Sequence, residues 1–259
     1  MAIHEHVHDS GVLELVLEHP PVNALSIGDL HALAALLRGV ADRPAVRAVV
    51  LRAEGKGFCG GGDLKEVQGL PGFEGILGQA SGSQEASLAI AECTAPVIVA
   101  THGYCIGVGV LLAGTADILV AAHGTSFVLA EVDNGATSGA AQALGLLPAK
   151  RLRAAMLTAD PIDASELHAH GSVYRLVDTD KLRDTAMELA EHIAAKSPDV
   201  VRRLKLSLNA SSGIDDLRAR YRVELSYTYE LNLLGEAAER RGDFLTGERG
   251  SYLGDDAAP

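Results

Sequence analysis

The 259-residue sequence predicts an α/β fold: a mainly parallel sheet with helical crossovers, closed by a helical C-terminal third. Three observations carry that expectation. Arg47–Arg52 and Pro96–Thr101 are short, apolar, β-branched runs, as in strands buried on both faces. Each runs into a glycine cluster and then a helical segment, the order of a strand–helix crossover unit. From Gly135 onward the apolar spacing turns helical, with one late strand at Val173–Val177.

Taken in order, His4, His6 and His8 alternate, so they share one face of an edge strand, a better reading than a metal site. Val12–Leu17 is the first firm strand. Ser26 is placed to N-cap an amphipathic helix over Leu30–Leu37. After the strand at 47–52, Asp63 starts the next helix, with Glu66 in its first turn; both acids are expected to be structural. Gln68 to Ser83 is rich in Gly, Ser and Pro and reads as a mobile segment beside the substrate. Helix is expected over 84–94, ending before Pro96. Helices are expected at 148–158, 164–170, 181–196 and 198–210, and one long helix at 217–239 carries Tyr221, Tyr227 and Tyr229. No repeat or linker marks an independent second domain. Residues 1–195 form the core and 196–259 a helical region of the same functional unit.

Composition bounds the function. Apolar content of 47% and charged content of 22% are those of a globular protein. The net charge of −12 argues against nucleic acid and anionic membranes as partners, although a few local cations can still serve phosphates. There is no signal-peptide pattern and no run that spans a bilayer, so a soluble, cytoplasmic chain is expected. Cys59, Cys93 and Cys105 are odd in number and lie in apolar surroundings. They read as reduced thiols, and none has metal-ligand spacing.

The chemistry centres on the two glycine clusters. In the second, Gly103-Tyr-Cys-Ile-Gly-Val-Gly109 leads into apolar helix, leaving free N–H groups at the helix start. From Gly107 the spacing is neither a dinucleotide fingerprint nor a P-loop. The first cluster, Gly57-Phe-Cys-Gly-Gly-Gly-Asp63-Leu-Lys-Glu66, repeats the strand–glycine–helix plan. Two such turns can converge two N–H donors on one developing oxyanion, as a thioester enolate requires. With Pro21-Val-Asn-Ala-Leu25, Asp117-Ile and Glu131, these motifs resemble the crotonase (enoyl-CoA hydratase/isomerase) superfamily over roughly residues 10 to 250.

The resemblance implies a crotonase-type β/α spiral of ββα repeats with a helical trimerisation region, assembled as a homotrimer or a dimer of trimers. It implies an acyl-CoA substrate and no cofactor beyond the coenzyme A that the substrate carries. It maps the oxyanion donors to the amides of Gly62 and Val108, and CoA contacts to Asn23, Ala24 and Lys65. Val108 replaces the family's usual glycine, so a changed local geometry is expected, because a β-branched residue disfavours φ > 0. Of the two glutamates that the family's hydratases use, one maps to Glu131 and the other falls on Leu111, which cannot deprotonate water. Asp133 is a candidate second carboxylate, sharing a face with Glu131 if that stretch is extended. His102 reads as a packed core histidine.

Within the superfamily the chain is most similar to the actinobacterial ring-opening hydrolases of steroid C/D-ring catabolism. The likeness rests on Leu111, on Glu131-x-Asp133-x-Gly-Ala136 and on Tyr227-Thr-Tyr-Glu-Leu-Asn-Leu233. The alternatives are a Δ3,Δ2-enoyl-CoA isomerase or weak hydratase, and, in another class, a non-catalytic acyl-CoA-binding protein.

Overall fold

A computed structural model describes residues 3–212, 216–250 and 252. Its larger sheet has six strands, in the order β1 (Ile3–Val7), β2 (Val12–Leu17), β3 (Ala48–Ala53), β4 (Val97–Thr101), β6 (Ile118–Ala122) and β9 (Val173–Val177). Only β1, the histidine-bearing edge strand, is antiparallel to its neighbour; the other pairs are parallel. Side chains alternate between two apolar layers. Leu13, Leu15, Val49, Leu51, Val97 and Val99 face the main core. Val12, Val50, Ile98 and Val120 face α8 (Leu182–Ala194) through its Ala186, Met187 and Ala190. Both faces are covered, which is why these strands read as unbroken apolar runs.

A second, smaller sheet explains the two glycine clusters. Cys59 forms a parallel bridge with Cys105 in β5 (Tyr104–Ile106). Strand β5 pairs in parallel with β7 (Ser126–Val128), and β7 pairs antiparallel with β8 (Ile162–Asp163). The large-sheet strands β3, β4 and β6 are therefore each followed by a small-sheet partner and then a helical turn. Those turns are α2 (Leu64–Gly69), α4 (Val108–Gly114) and a 3-10 turn at Val132–Asn134. This is the ββα spiral that the resemblance implies. The three cysteines are free and buried.

Local signals in the sequence set the helix starts. Ser26 caps α1 (Ile27–Gly39) with a full capping box closed by Asp29, and the Asp63 carboxylate accepts from the amides of Lys65 and Glu66.

Three expectations are corrected. The Gly- and Ser-rich stretch is no mobile segment: α3 runs from Glu74 to Glu92 and packs on α1. Its small residues permit close approach, since a Cβ on Gly75 would lie 2.1 Å from Val67 O and one on Gly82 would lie 2.9 Å from Leu30 Cβ. The long C-terminal helix is two, α10 (Leu217–Leu234) and α11 (Glu236–Thr246), broken at Gly235 with φ of 88°. His102 is only half-buried and bonds the Gly55 carbonyl at 2.9 Å instead of packing in the core.

Two buried charges tie distant elements together, and each is neutralised. Glu14 in β2 accepts hydrogen bonds from Arg52 (2.6 Å) and Arg183 (2.8 and 2.9 Å) and pairs with His8 at 2.8 Å. Burial raises its pKa, but those bonds outweigh the rise and hold it at about 2. Lys205 in α9 (Pro198–Ser212) reaches into the core to Asp117 (2.7 Å) and the carbonyls of Ile90 and Ala95. Asp117 also accepts from the Val97 amide, so one carboxylate fixes the start of β4 and docks α9. No described helix is long and apolar enough to cross a membrane.

Candidate active site

The two glycine turns face each other across a cavity of about 340 Å³. Asn23 holds the first turn in place. Its side chain donates to Glu54 O (2.7 Å) and Gly57 O (2.9 Å) and accepts from the His19 amide (2.7 Å). The Ile106 amide bonds Cys59 O and the Gly107 amide bonds Val128 O, which registers the second turn against the first. Gly107 adopts φ 49°, ψ −116°, and Val108 then opens α4. The left-handed residue is thus Gly107, and Val108 is not among the positive-φ positions. A valine there carries none of the expected strain, and its side chain simply joins the core. Gly62 and Val108 both line the cavity, and neither amide has a protein acceptor among the described residues.

Glu131 lies beyond these amides at the end of the apolar run after β7. Its Oε1 is 3.6 Å from the point a Cβ on Gly107 would occupy and 3.7 Å from that on Gly139. The Leu111 side chain crowds the same Gly139 position at 2.9 Å, so leucine and glutamate are neighbours on the cavity wall. Oε2 of Glu131 is buried with no hydrogen-bond partner among the described residues. Burial pushes this carboxyl up to about 8 and nearby Glu224 adds to the rise, while its own backbone amide opposes it. Such a group is protonated for part of the time near neutral pH and can both take and return a proton. Glu224 itself is held by the amides of Gly139 (2.8 Å) and Ala141 (2.7 Å), which orders the loop behind Glu131.

The other expected residues separate into two groups. Ala24 and the exposed Lys65 line the cavity. Asn23 does not; its side chain is spent on the turn. Asp133 does not reach the cavity either. The 131–134 stretch is a 3-10 turn, not extended, so residues 131 and 133 do not share a face. The Asp133 carboxylate instead accepts from Tyr252 OH, and its carbonyl accepts from Arg249.

Sequence reasoning missed Gln79, Tyr221, Arg241 and Arg249, which also line the cavity. Gln79 sits in the stretch read as mobile. The two arginines lie beyond the helix expected at 217–239, and they reach the cavity because α11 folds back beside α2.

The enoyl-CoA hydratase/isomerase family profile matches residues 8–237. A protein of Rhodococcus jostii RHA1, described as (7aS)-7a-methyl-1,5-dioxo-2,3,5,6,7,7a-hexahydro-1H-indene-carboxyl-CoA hydrolase, is 38% identical over 97% of this chain and 98% of its own length. A Mycobacterium tuberculosis protein of the same description is also 38% identical, over 92% of this chain and 96% of its own. The crystal structure of an enoyl-CoA hydratase/isomerase from Pseudoalteromonas atlantica superposes with a TM-score of 0.82 at 25% identity, covering 97% of this chain and 99% of that one. With a spiral of ββα units, two facing glycine turns and a buried glutamate already in place, these matches complete the assignment: the chain belongs to the enoyl-CoA hydratase/isomerase family.

Proposed function

We propose that the protein opens the ring of a cyclic β-keto acyl-CoA by hydrolysis, with Glu131 as its single acid–base group. The observation that carries this reading is a buried carboxylate with one oxygen unpartnered, beside two free amides, with Leu111 where a second carboxylate would be needed for hydration. Glu131 takes a proton from water, and the oxygen adds to the ring ketone. The bond from that carbon to the thioester α-carbon then breaks, and the electron pair stays with the α-carbon as a thioester enolate. The amides of Gly62 and Val108 hold the enolate oxygen, each such donor being worth roughly 2.7–4 kcal/mol. Glu131 returns its proton to the α-carbon, and the new carboxylic acid ionises. Water, one carboxylate and two amides balance the reaction, so no resident cofactor or metal is invoked.

Ala24 and Lys65 are assigned to the CoA portion, and Asn23 to shaping the turn that receives it. The relatives' described substrate, a fused-ring diketone carried on CoA, supports this chemistry, and the reading assigns the enzyme to ring degradation within steroid catabolism. The reading includes a cytoplasmic trimer or dimer of trimers. Val200, Leu204, Leu208 and Val223 are exposed apolar residues on α9 and α10 that assembly would cover.

The test is incubation with that bicyclic β-keto thioester and with crotonyl-CoA, read by mass spectrometry. Expected are a product one water heavier that still carries CoA, and crotonyl-CoA hydration weaker by about 10²–10⁴-fold than with two carboxylates. A same-mass product would assign the single base to double-bond isomerisation, and free CoA would assign a thioesterase.

A further inference from the structure

Glu14 and Lys205 show that this chain pairs its buried charges. Arg241 breaks that pattern. It is 6% exposed, lines the cavity, and bonds only neutral amide oxygens, Gln68 Oε1 at 3.2 Å and Asn232 Oδ1 at 2.9 Å. No carboxylate lies within ion-pair distance of it among the described residues. Arg249, in the bend that follows α11, also lines the cavity. It bonds Asn134 Oδ1 at 2.6 Å and the Asp133 carbonyl, and its Nε is buried without a partner. Arg249 is half-buried and feels the charges of Asp133 and Asp243, and the Asp133 carboxylate also accepts from Tyr252 OH. A guanidinium does not shed its proton to escape burial, and an uncompensated buried charge is costly. Arg241 buried without a carboxylate, and Arg249 on the same cavity wall, in a chain of net charge −12, imply an anion supplied by the bound ligand. The planar fork of N–H donors suits a carboxylate. The exposed Lys65, whose ammonium has no partner among the described residues, remains for the CoA phosphates.

We propose that Arg241 and Arg249 form an anion subsite for a carboxylate carried on the acyl group. In the ring-opening reading, on which this assignment of the physiological anion rests, it is the carboxylate that cleavage creates. The subsite would then stabilise charge that appears only as the ring opens and would hold the product's new end away from the enolate.

The test measures binding of glutaryl-CoA, pentanoyl-CoA and free CoA by calorimetry to the wild type and to Arg241→Gln, Arg241→Lys and Arg249→Gln. The expected wild-type preference for glutaryl-CoA over pentanoyl-CoA is about tenfold or more, the scale of a charge-assisted hydrogen bond. Arg241→Gln and Arg249→Gln should each reduce that preference while leaving pentanoyl-CoA and free CoA binding unchanged; Arg241→Lys should keep part of it. Absence of any wild-type preference overturns the subsite. An equal loss for all three ligands also overturns it and assigns the arginines to the CoA phosphates. Should Arg241→Gln fail to fold, the wild-type preference and Arg249→Gln decide. Glutaryl-CoA has no ring to open, so this result stands apart from the reaction. Ring opening without a carboxylate preference removes the subsite alone, and a preference without ring opening removes the reaction alone.

Discussion

At the scale of single residues the account turns on Glu131. Glutamine keeps its size but cannot titrate, and it leaves both backbone donors untouched. Glu131→Gln should lower kcat about 10²–10⁴-fold with little change in thioester affinity. Retention of more than about a tenth of wild-type kcat would place the base elsewhere. Because the ionised form is the base and burial raises its pKa to about 8, kcat/KM should rise with pH through that value. The same shift has the opposite sign for stability. Between the ordinary carboxyl value of 4.5 and about 8, the folded chain keeps a proton that the unfolded chain has lost, so this group's contribution declines as pH rises through that window. Glu131→Gln should therefore melt at or above the wild-type temperature at pH 8. A variant that is less stable there but fully active would mark Glu131 as structural.

At the scale of elements, α9 is fixed to the core by one buried pair. Asp117→Asn leaves the Lys205 ammonium buried against only the Ile90 and Ala95 carbonyls, and breaking a buried pair on one side costs about 3–5 kcal/mol. Urea unfolding of this variant should show that loss; a change below about 0.5 kcal/mol would mean the pair contributes nothing net. Elements also show how far the sequence could be read. The strands were legible because burial on both faces leaves continuous β-branched runs, and the starts of α1 and α2 because Ser26 and Asp63 are capping residues. The first half of α3 was hidden because Gly75, Gly78, Gly82 and Ser83 carry loop composition, while the glycines permit closeness to α1 and α2, which is visible only once those helices are placed; only its second half, from 84, was read as helix. The break at Gly235 was passed over because the apolar spacing continues on both sides of it.

At the scale of the whole molecule, Glu14 joins β2, β3 and α8 through Arg52 and Arg183. Its pKa, depressed from 4.5 to about 2, corresponds to about 3 kcal/mol of stability, present above the unfolded value and lost as pH falls through that range. Urea midpoints measured from pH 5 to pH 2 should fall, and Glu14→Gln should start lower and flatten the curve. An unchanged slope would show that Glu14 is not linked to acid unfolding. The site was legible to the same degree as the fold. Gly62, Val108, Glu131 and the missing partner at Leu111 stand in local motifs, whereas Arg241 and Arg249 enter the cavity only because α11 folds back on the core, which no motif records. The central claim is that Glu131 and two amides make and quench a thioester enolate. Exchange of the α-hydrogens of a saturated acyl-CoA with D2O, followed by mass spectrometry, tests it most directly. The account predicts exchange by the wild type, faster as pH rises through about 8, and slowed by about 10²-fold or more in Glu131→Gln. Exchange that is absent in the wild type, or equally fast in the variant, would contradict it.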